Sequence, residues 1–238
     1  MFFEFNKFLA TGTAKDFLLI SSKGSSSHNF VISHLLVNAA RNRKKVQLIC
    51  SGESFQFYLV VCKRAGVCLQ DMQSSGNLRA TCLVSAWKDQ ISAGHFPTVP
   101  DIITNDVNSD EDLLIIDDLG PLIDFATLSE VIRMMHSLKS LVPGMLAVGM
   151  RADDSGSEHV MKLVRTMCSM WVEAHPLSTG YSKEVHGVLE MVSFKPDQGG
   201  TTHKTMHYRA TERALEDSYH VLRQGILRVR SQAMELGY

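Results

Sequence analysis

Short apolar runs recur along the chain, each stopped by polar or glycine-rich residues and followed by apolar positions spaced as on one face of a helix. Phe17-Leu18-Leu19-Ile20 is the first such run. It gives way to serines and Gly24, after which Phe30, Val31, His34, Leu35 and Val37 repeat at helical spacing, so strand, loop and helix follow one another. Arg41-Asn42-Arg43-Lys44-Lys45 leads into a second strand, Val46–Cys50, and then a helix from Ser51 to Arg64, with Ser51 as its cap and Gly66 as its stop. Arg79 to Val84 suggests another strand, whereas Ser92 to Asp112 lacks clear periodicity and is expected to be loop.

Leu113-Leu114-Ile115-Ile116 is apolar throughout and stops at Asp117-Asp118, the pattern of a central parallel strand covered on both faces. A helix from about Thr127 to Leu141, a strand from Met145 to Gly149, a polar loop from Arg151 to Gly156 and a helix reaching Met167 come next. After Trp171-Val172-Glu173-Ala174 the period changes to two. Gly187 to Phe194 and Lys204 to Arg213 flank Pro196-Asp197-Gln198-Gly199-Gly200, which signals an antiparallel hairpin. The expected fold is therefore α/β and RecA-like: a mostly parallel central sheet flanked by helices, with antiparallel strands at the C-terminal side. Leu222 to Met234 is expected to form a terminal helix, whose apolar side meets a partner or this domain.

At 238 residues and 45% hydrophobic, the chain is expected to form a single domain over residues 1–238. With 24 Lys and Arg against 25 Asp and Glu, it is no globally basic nucleic-acid binder, and any RNA contact must be local. The five cysteines lack a C-x-x-C pair, and all but Cys68 are expected in the core, so no metal site is expected from them. No stretch reaches the ~18 apolar residues of a membrane span, and no membrane partner is expected. His203 and His207, four apart in an expected strand, are taken as a surface pair on one face rather than metal ligands.

The loop after the first strand is where an NTP-hydrolysing protein of this class carries G-x-x-x-x-G-K-[ST]. Its glycines let backbone N–H groups approach phosphate, its lysine pairs with the β and γ charges, and its hydroxyl holds magnesium. Here that stretch is Ser21-Ser22-Lys23-Gly24-Ser25-Ser26-Ser27-His28-Asn29. With the helix beginning near Phe30, the Gly-Lys-Thr positions fall on Ser27, His28 and Asn29, and Lys23 lies too early to replace the lysine. The loop is expected to be non-hydrolysing, with weak anion binding at the helix start as an alternative to a structural turn. Asp117 stands where the magnesium-associated carboxylate stands, although an Asp pair leaving a strand serves equally as a turn former or cap. No cofactor is expected.

Particular segments resemble a known family. LLIIDDLG (Leu113 to Gly120), STGYSKEVHG (Ser178 to Gly187), Lys204 to Tyr208 and the opening MFFEFNKFL are similar to Elongator complex protein 6. The most specific of these is T-G-x-x-K-x-V-H-G, and Met72 to Asp110 contributes little. The resemblance implies a non-catalytic subunit with a RecA-like fold, forming a hetero-hexameric ring with the fourth and fifth Elongator subunits. That ring binds tRNA and works with the rest of Elongator, whose complex modifies the wobble uridine at C5, the radical chemistry lying in another subunit. It also implies a cytoplasmic protein, with the nucleus as a second compartment. Candidates for a tRNA-facing surface are Arg151, in the loop that ring proteins of this fold turn toward their channel, and the basic cluster Arg41, Arg43 and Lys44. For each, a solvated surface is the alternative. Phe2, Phe3, Phe5 and Ile226 are expected to be exposed apolar groups for assembly. The rival expectation is a divergent recombinase-type ATPase using Lys23, His28 and Asp117.

Overall fold

A computed structural model describes residues 3–10, 15–94, 98–107, 110–153, 155–180, 182, 185–195 and 200–209. Its strands are β1 (Phe17–Ser22), β2 (Val46–Cys50), β3 (Leu78–Cys82), β4 (Leu113–Ile116), β5 (Met145–Arg151), β6 (Met170–Pro176), β7 (Gly187–Lys195) and β8 (Gly200–Tyr208). They form one sheet in the order β3-β2-β4-β5-β1-β6-β7-β8. Neighbours are parallel from β3 to β6, and β7 and β8 are antiparallel to their neighbours.

The apolar runs follow from this position. Leu113 and Ile115 of β4 enter the core on one side of the sheet, and Leu114 and Ile116 enter the core on the other, so all four positions must be apolar. The first core is closed by α1 (Phe3–Leu9), α2 (Asn29–Arg41), α3 (Phe55–Arg64) and α4 (Leu69–Ser74). The second is closed by α6 (Val99–Asp106), α7 (Gly120–Phe125), α8 (Leu128–Leu141) and α9 (Ser155–Met167), with α5 (Leu83–Ser92) anchored through Leu83. Thr127 opens α8 with a capping box to Glu130, which ties off two otherwise orphaned backbone donors.

Several expectations are corrected. The segment expected as loop contains α6, whose Thr98 side chain accepts from the Asp101 N–H and whose Ile102 and Ile103 are buried. Eight residues are too few for their periodicity to stand out. The helix expected from Ser51 begins at Phe55, because Ser54 is the cap, accepting from the Phe57 N–H at 3.2 Å. The loop expected from Arg151 to Gly156 is shorter, since Arg151 ends β5 and α9 begins at Ser155. Cys82 is exposed, at the end of the edge strand β3. The hairpin's second strand begins at Gly200 rather than Lys204, while the turn at 196–199 and the expected terminal helix lie outside the described residues. Exposed His203 and His207 do share a face of β8.

Phe5 is also not a surface group. It is 1% exposed, stacks on Phe8, and lies 5.4 Å from the His34 ring, because α1 closes the end of the first core. The side chains of Phe2 and Phe3, and all of Ile226, lie outside the described residues. His34 Nε2 lies 2.6 Å from Asn6 Oδ1, and burial, reinforced by Arg41, pushes the imidazole down to about 3. The folded state thus resists a proton that the unfolded chain takes up below about pH 6.5. Stability from His34 is full above that pH and falls as pH drops from about 6.5 toward 3, by up to about 1.4 kcal/mol per pH unit. Urea unfolding at pH 7 and pH 5 is expected to show this loss, and His34→Gln to flatten it; an unchanged slope in the variant would refute the assignment.

Candidate functional site

Strand ends that point the same way bring distant segments together at one edge of the sheet, where α/β proteins hold their ligands. Here the carboxyl ends of β1, β2, β4 and β5 deliver Ser22 and His28, Ser51 to Glu53, Asp117 and Asp118, and Arg151. Between them is a polar cavity of ≈ 90 Å³. That is well below the ~300–1,000 Å³ usual for small-molecule sites.

His28, expected from the sequence at the lysine position of a nucleotide loop, has its ring buried among the strand ends. Nδ1 lies 3.0 Å from Ser22 Oγ and Nε2 lies 2.9 Å from the Asp117 carbonyl oxygen. Since a carbonyl only accepts, Nε2 carries the proton and the imidazole bridges the ends of β1 and β4. Gly149 on β5 makes room for this bridge: a Cβ there would overlap the Asp117 carbonyl and stand 2.8 Å from His28 Nε2.

Asp117 is 1% exposed and its carboxylate is fully engaged. Oδ1 accepts from the N–H groups of Ser51 and Gly52 at 2.7 and 2.9 Å, and Oδ2 from the Glu53 N–H at 2.8 Å and the Tyr58 hydroxyl at 3.2 Å. The Ser51 hydroxyl also lies 2.7 Å from Oδ1. Three successive N–H groups thus form a nest around an anion supplied by the chain itself. A carboxylate offers about four lone-pair sites, and these four donors take them up. Burial, with the Asp117 charge, pushes the Tyr58 phenol above its ordinary range. The neighbouring Asp118 is also raised, by burial first and by the Asp117 charge less, against the Gly120 N–H that its Oδ1 accepts at 2.8 Å.

The other loop residues turn outward or sideways. Gly24 has φ of +60° at the turn, its N–H donates to Asp153 Oδ1 at 3.0 Å, and Arg151 Nη2 donates to its carbonyl at 2.8 Å. The Arg151 guanidinium, paired with Asp153, is therefore folded back onto the loop. Ser27 is exposed, and the Asn29 side-chain amide donates to Glu53 Oε1 at 2.8 Å. Lys23 pairs with Glu173 Oε1 at 3.2 Å.

Glu173 is 2% exposed within β6, and Arg165 and His175 stand 3.5 and 3.3 Å from its other oxygen. Arg165 also covers the Trp171 ring at 3.6 Å. Glu173, His175 and Glu190 offer ligand atoms within 4.8 Å of one another, yet Lys23 and Arg165 already supply this acidic group with cations. Arg41, Arg43 and Lys44 are not brought to the site. They are exposed at the far end of α2 and just past it, about 20 Å from His28 by helix length. The Arg41 guanidinium donates to the Ala65 carbonyl at 3.3 Å, and Arg43 adopts a left-handed φ of 52°.

Sequence reasoning missed Ser51 to Glu53, Tyr58, Gly149 and Glu173. Only Glu173 left a signal, as an acid within the run Trp171-Val172-Glu173-Ala174.

These features define a RecA-like α/β fold with a compact, self-bonded site at the carboxyl edge of its parallel strands. Among solved structures, the flagellar accessory protein FlaH of Methanocaldococcus jannaschii matches with a TM-score of 0.61 and 14% identity, over 87% of this chain and 91% of that chain. The RadB recombinase matches with a TM-score of 0.61 and 15% identity, over 88% and 94%. A KaiC-like protein of Pyrococcus horikoshii matches with a TM-score of 0.58 and 8% identity, over 84% and 88%. No protein-family model and no curated protein sequence matches the chain.

Proposed function

We propose that this chain is a non-catalytic RecA-like subunit of the Elongator complex, forming a hetero-hexameric ring with the fourth and fifth subunits. In this reading the ring binds tRNA and supports C5 modification of the wobble uridine, and the protein is cytoplasmic and also nuclear. The observation that carries the reading is His28, which stands where a nucleotide-binding loop has its lysine and bridges Ser22 to the Asp117 carbonyl. The nest of donors around the Asp117 carboxylate supports it, because the oxygens that would hold magnesium are already bonded. The sequence resemblance from Thr179 to Gly187 supplies the identity of the complex.

A binding role also fits the surface. Val84 and Phe125 are 64% and 60% exposed, and the Phe125 ring meets Trp87 edge-on at 4.6 Å. Apolar groups held out in water in this way suit burial against a neighbouring protein. Among the described residues, no helix is long and apolar enough to cross a membrane.

Two measurements test the proposal. The purified chain is expected to release no phosphate from ATP above a boiled control, and turnover that disappears in His28→Ala would establish the ATPase reading instead. Native mass measurement of the assembly purified from cells is expected to give two copies each of three different RecA-like chains. A lone chain or a homo-oligomer would remove the ring.

A further inference from the structure

On the sheet face that carries the second core, β6 and β7 set two acids opposite each other. Trp171 and Val192 belong to that core, and strand alternation puts Glu173, His175 and Glu190 on the same face. Glu173 and Glu190 are direct partners in the register, which two like charges disfavour unless something positive lies between them. His175, two residues beyond Glu173, reaches into that gap. Its Nε2 lies 3.3 Å from Glu173 Oε2 and 3.6 Å from Glu190 Oε2.

Neither contact is a hydrogen bond. His175 Nε2 is closed off from solvent and has no hydrogen-bond partner among the described residues, and the same holds for Oε1 of the buried Glu173. The spacings suit ligands of one ion instead. A tetrahedral ion bound by nitrogen and oxygen at about 2.0–2.1 Å holds those atoms about 3.3 Å apart. One ligand atom from each of the three residues lies within 4.8 Å of the others. An imidazole with two carboxylates suits zinc and its first-row neighbours better than calcium or magnesium, which take oxygen ligands. His175 and Glu190 are partly exposed, which leaves a fourth position for water.

We propose that Glu173, His175 and Glu190 form a binding site for a divalent first-row transition metal, zinc first among them. Lys23 and Arg165 also lie on Glu173, at 3.2 and 3.5 Å. They neutralise it in the metal-free protein and repel an incoming dication, so binding is weak and reversible rather than that of a permanent structural centre. Bound zinc ties β6 to β7 where the sheet changes from parallel to antiparallel pairing.

Equilibrium dialysis of the full chain against zinc alone at neutral pH tests this. One zinc per chain is expected, with a raised urea midpoint. Cobalt in its place is expected to show the visible absorption of a four-coordinate ion without a thiolate band, which separates the site from exposed Cys68 and Cys82. His175→Gln and Glu190→Gln alter partly exposed side chains, and each is expected to lower affinity by about a hundredfold, since even the hydrogen-bonded partners of a ligand are worth ~10–100-fold. Lys23→Met removes a competing charge and should tighten binding, whereas His203→Ala with His207→Ala should leave it unchanged. Dialysis that leaves the unaltered chain without zinc would overturn the proposal. So would a thiolate band, binding that survives both His175→Gln and Glu190→Gln, looser binding in Lys23→Met, or loss of the ion with the His203 and His207 pair.

Discussion

Asp117→Ala is expected to lower unfolding stability by about 2–4 kcal/mol, read as a reduced urea midpoint, because four donors around the carboxylate lose a charged acceptor. Asp117→Asn should lose less, since one amide oxygen remains to accept. A carboxylate held in readiness for magnesium behaves in the opposite sense. Removing it from beside Asp118 relieves repulsion between two acids, and the metal-free protein becomes more stable. The sign of the change therefore decides between a carboxylate that organises the nest and one that awaits an ion.

Gly149→Ala is expected to be at least as severe, at about 3 kcal/mol or more, because the added methyl overlaps the backbone carbonyl of Asp117 rather than a movable side chain. The same methyl crowds His28 Nε2, so the bridge between β1 and β4 is lost along with packing. Gly180→Ala is the control: its φ of +88° is strained for alanine, but a Cβ there meets nothing within 4 Å, and about 1 kcal/mol is expected. Urea titration of both variants checks the contrast. Equal losses would mean that strand β5 does not hold the carbonyl where the structure has it.

The parts of the fold legible in the sequence are those whose burial is uniform. β4 is covered on both faces and apolar throughout, so its end is marked by the first charge, and β2 admits one polar side chain, Gln47, whose amide is bonded to Asp106. α6 is hidden for the converse reason: it exposes Asp101 and Asn105 on either side of its two buried isoleucines, and its last residue, Asp106, is bonded by Gln47 and Thr81 from two strands. The site divides in the same way. The helix expected to begin near Phe30 begins at Asn29 with His28 as its cap, a boundary legible to within one residue because it depends only on local order. Which groups satisfy Asp117 was not legible, since Tyr58 and Ser51 meet it across 59 and 66 residues of chain. Ser51 in particular read as a helix cap, a role filled instead by Ser54, while its own N–H serves the nest.

In the His28 bridge, a side chain of this protein fills the gap between the first strand and the Asp strand. A rim completed from within has nothing to wait for. Its outline is set when the chain folds, and the ends of β1 and β4 keep one spacing instead of two.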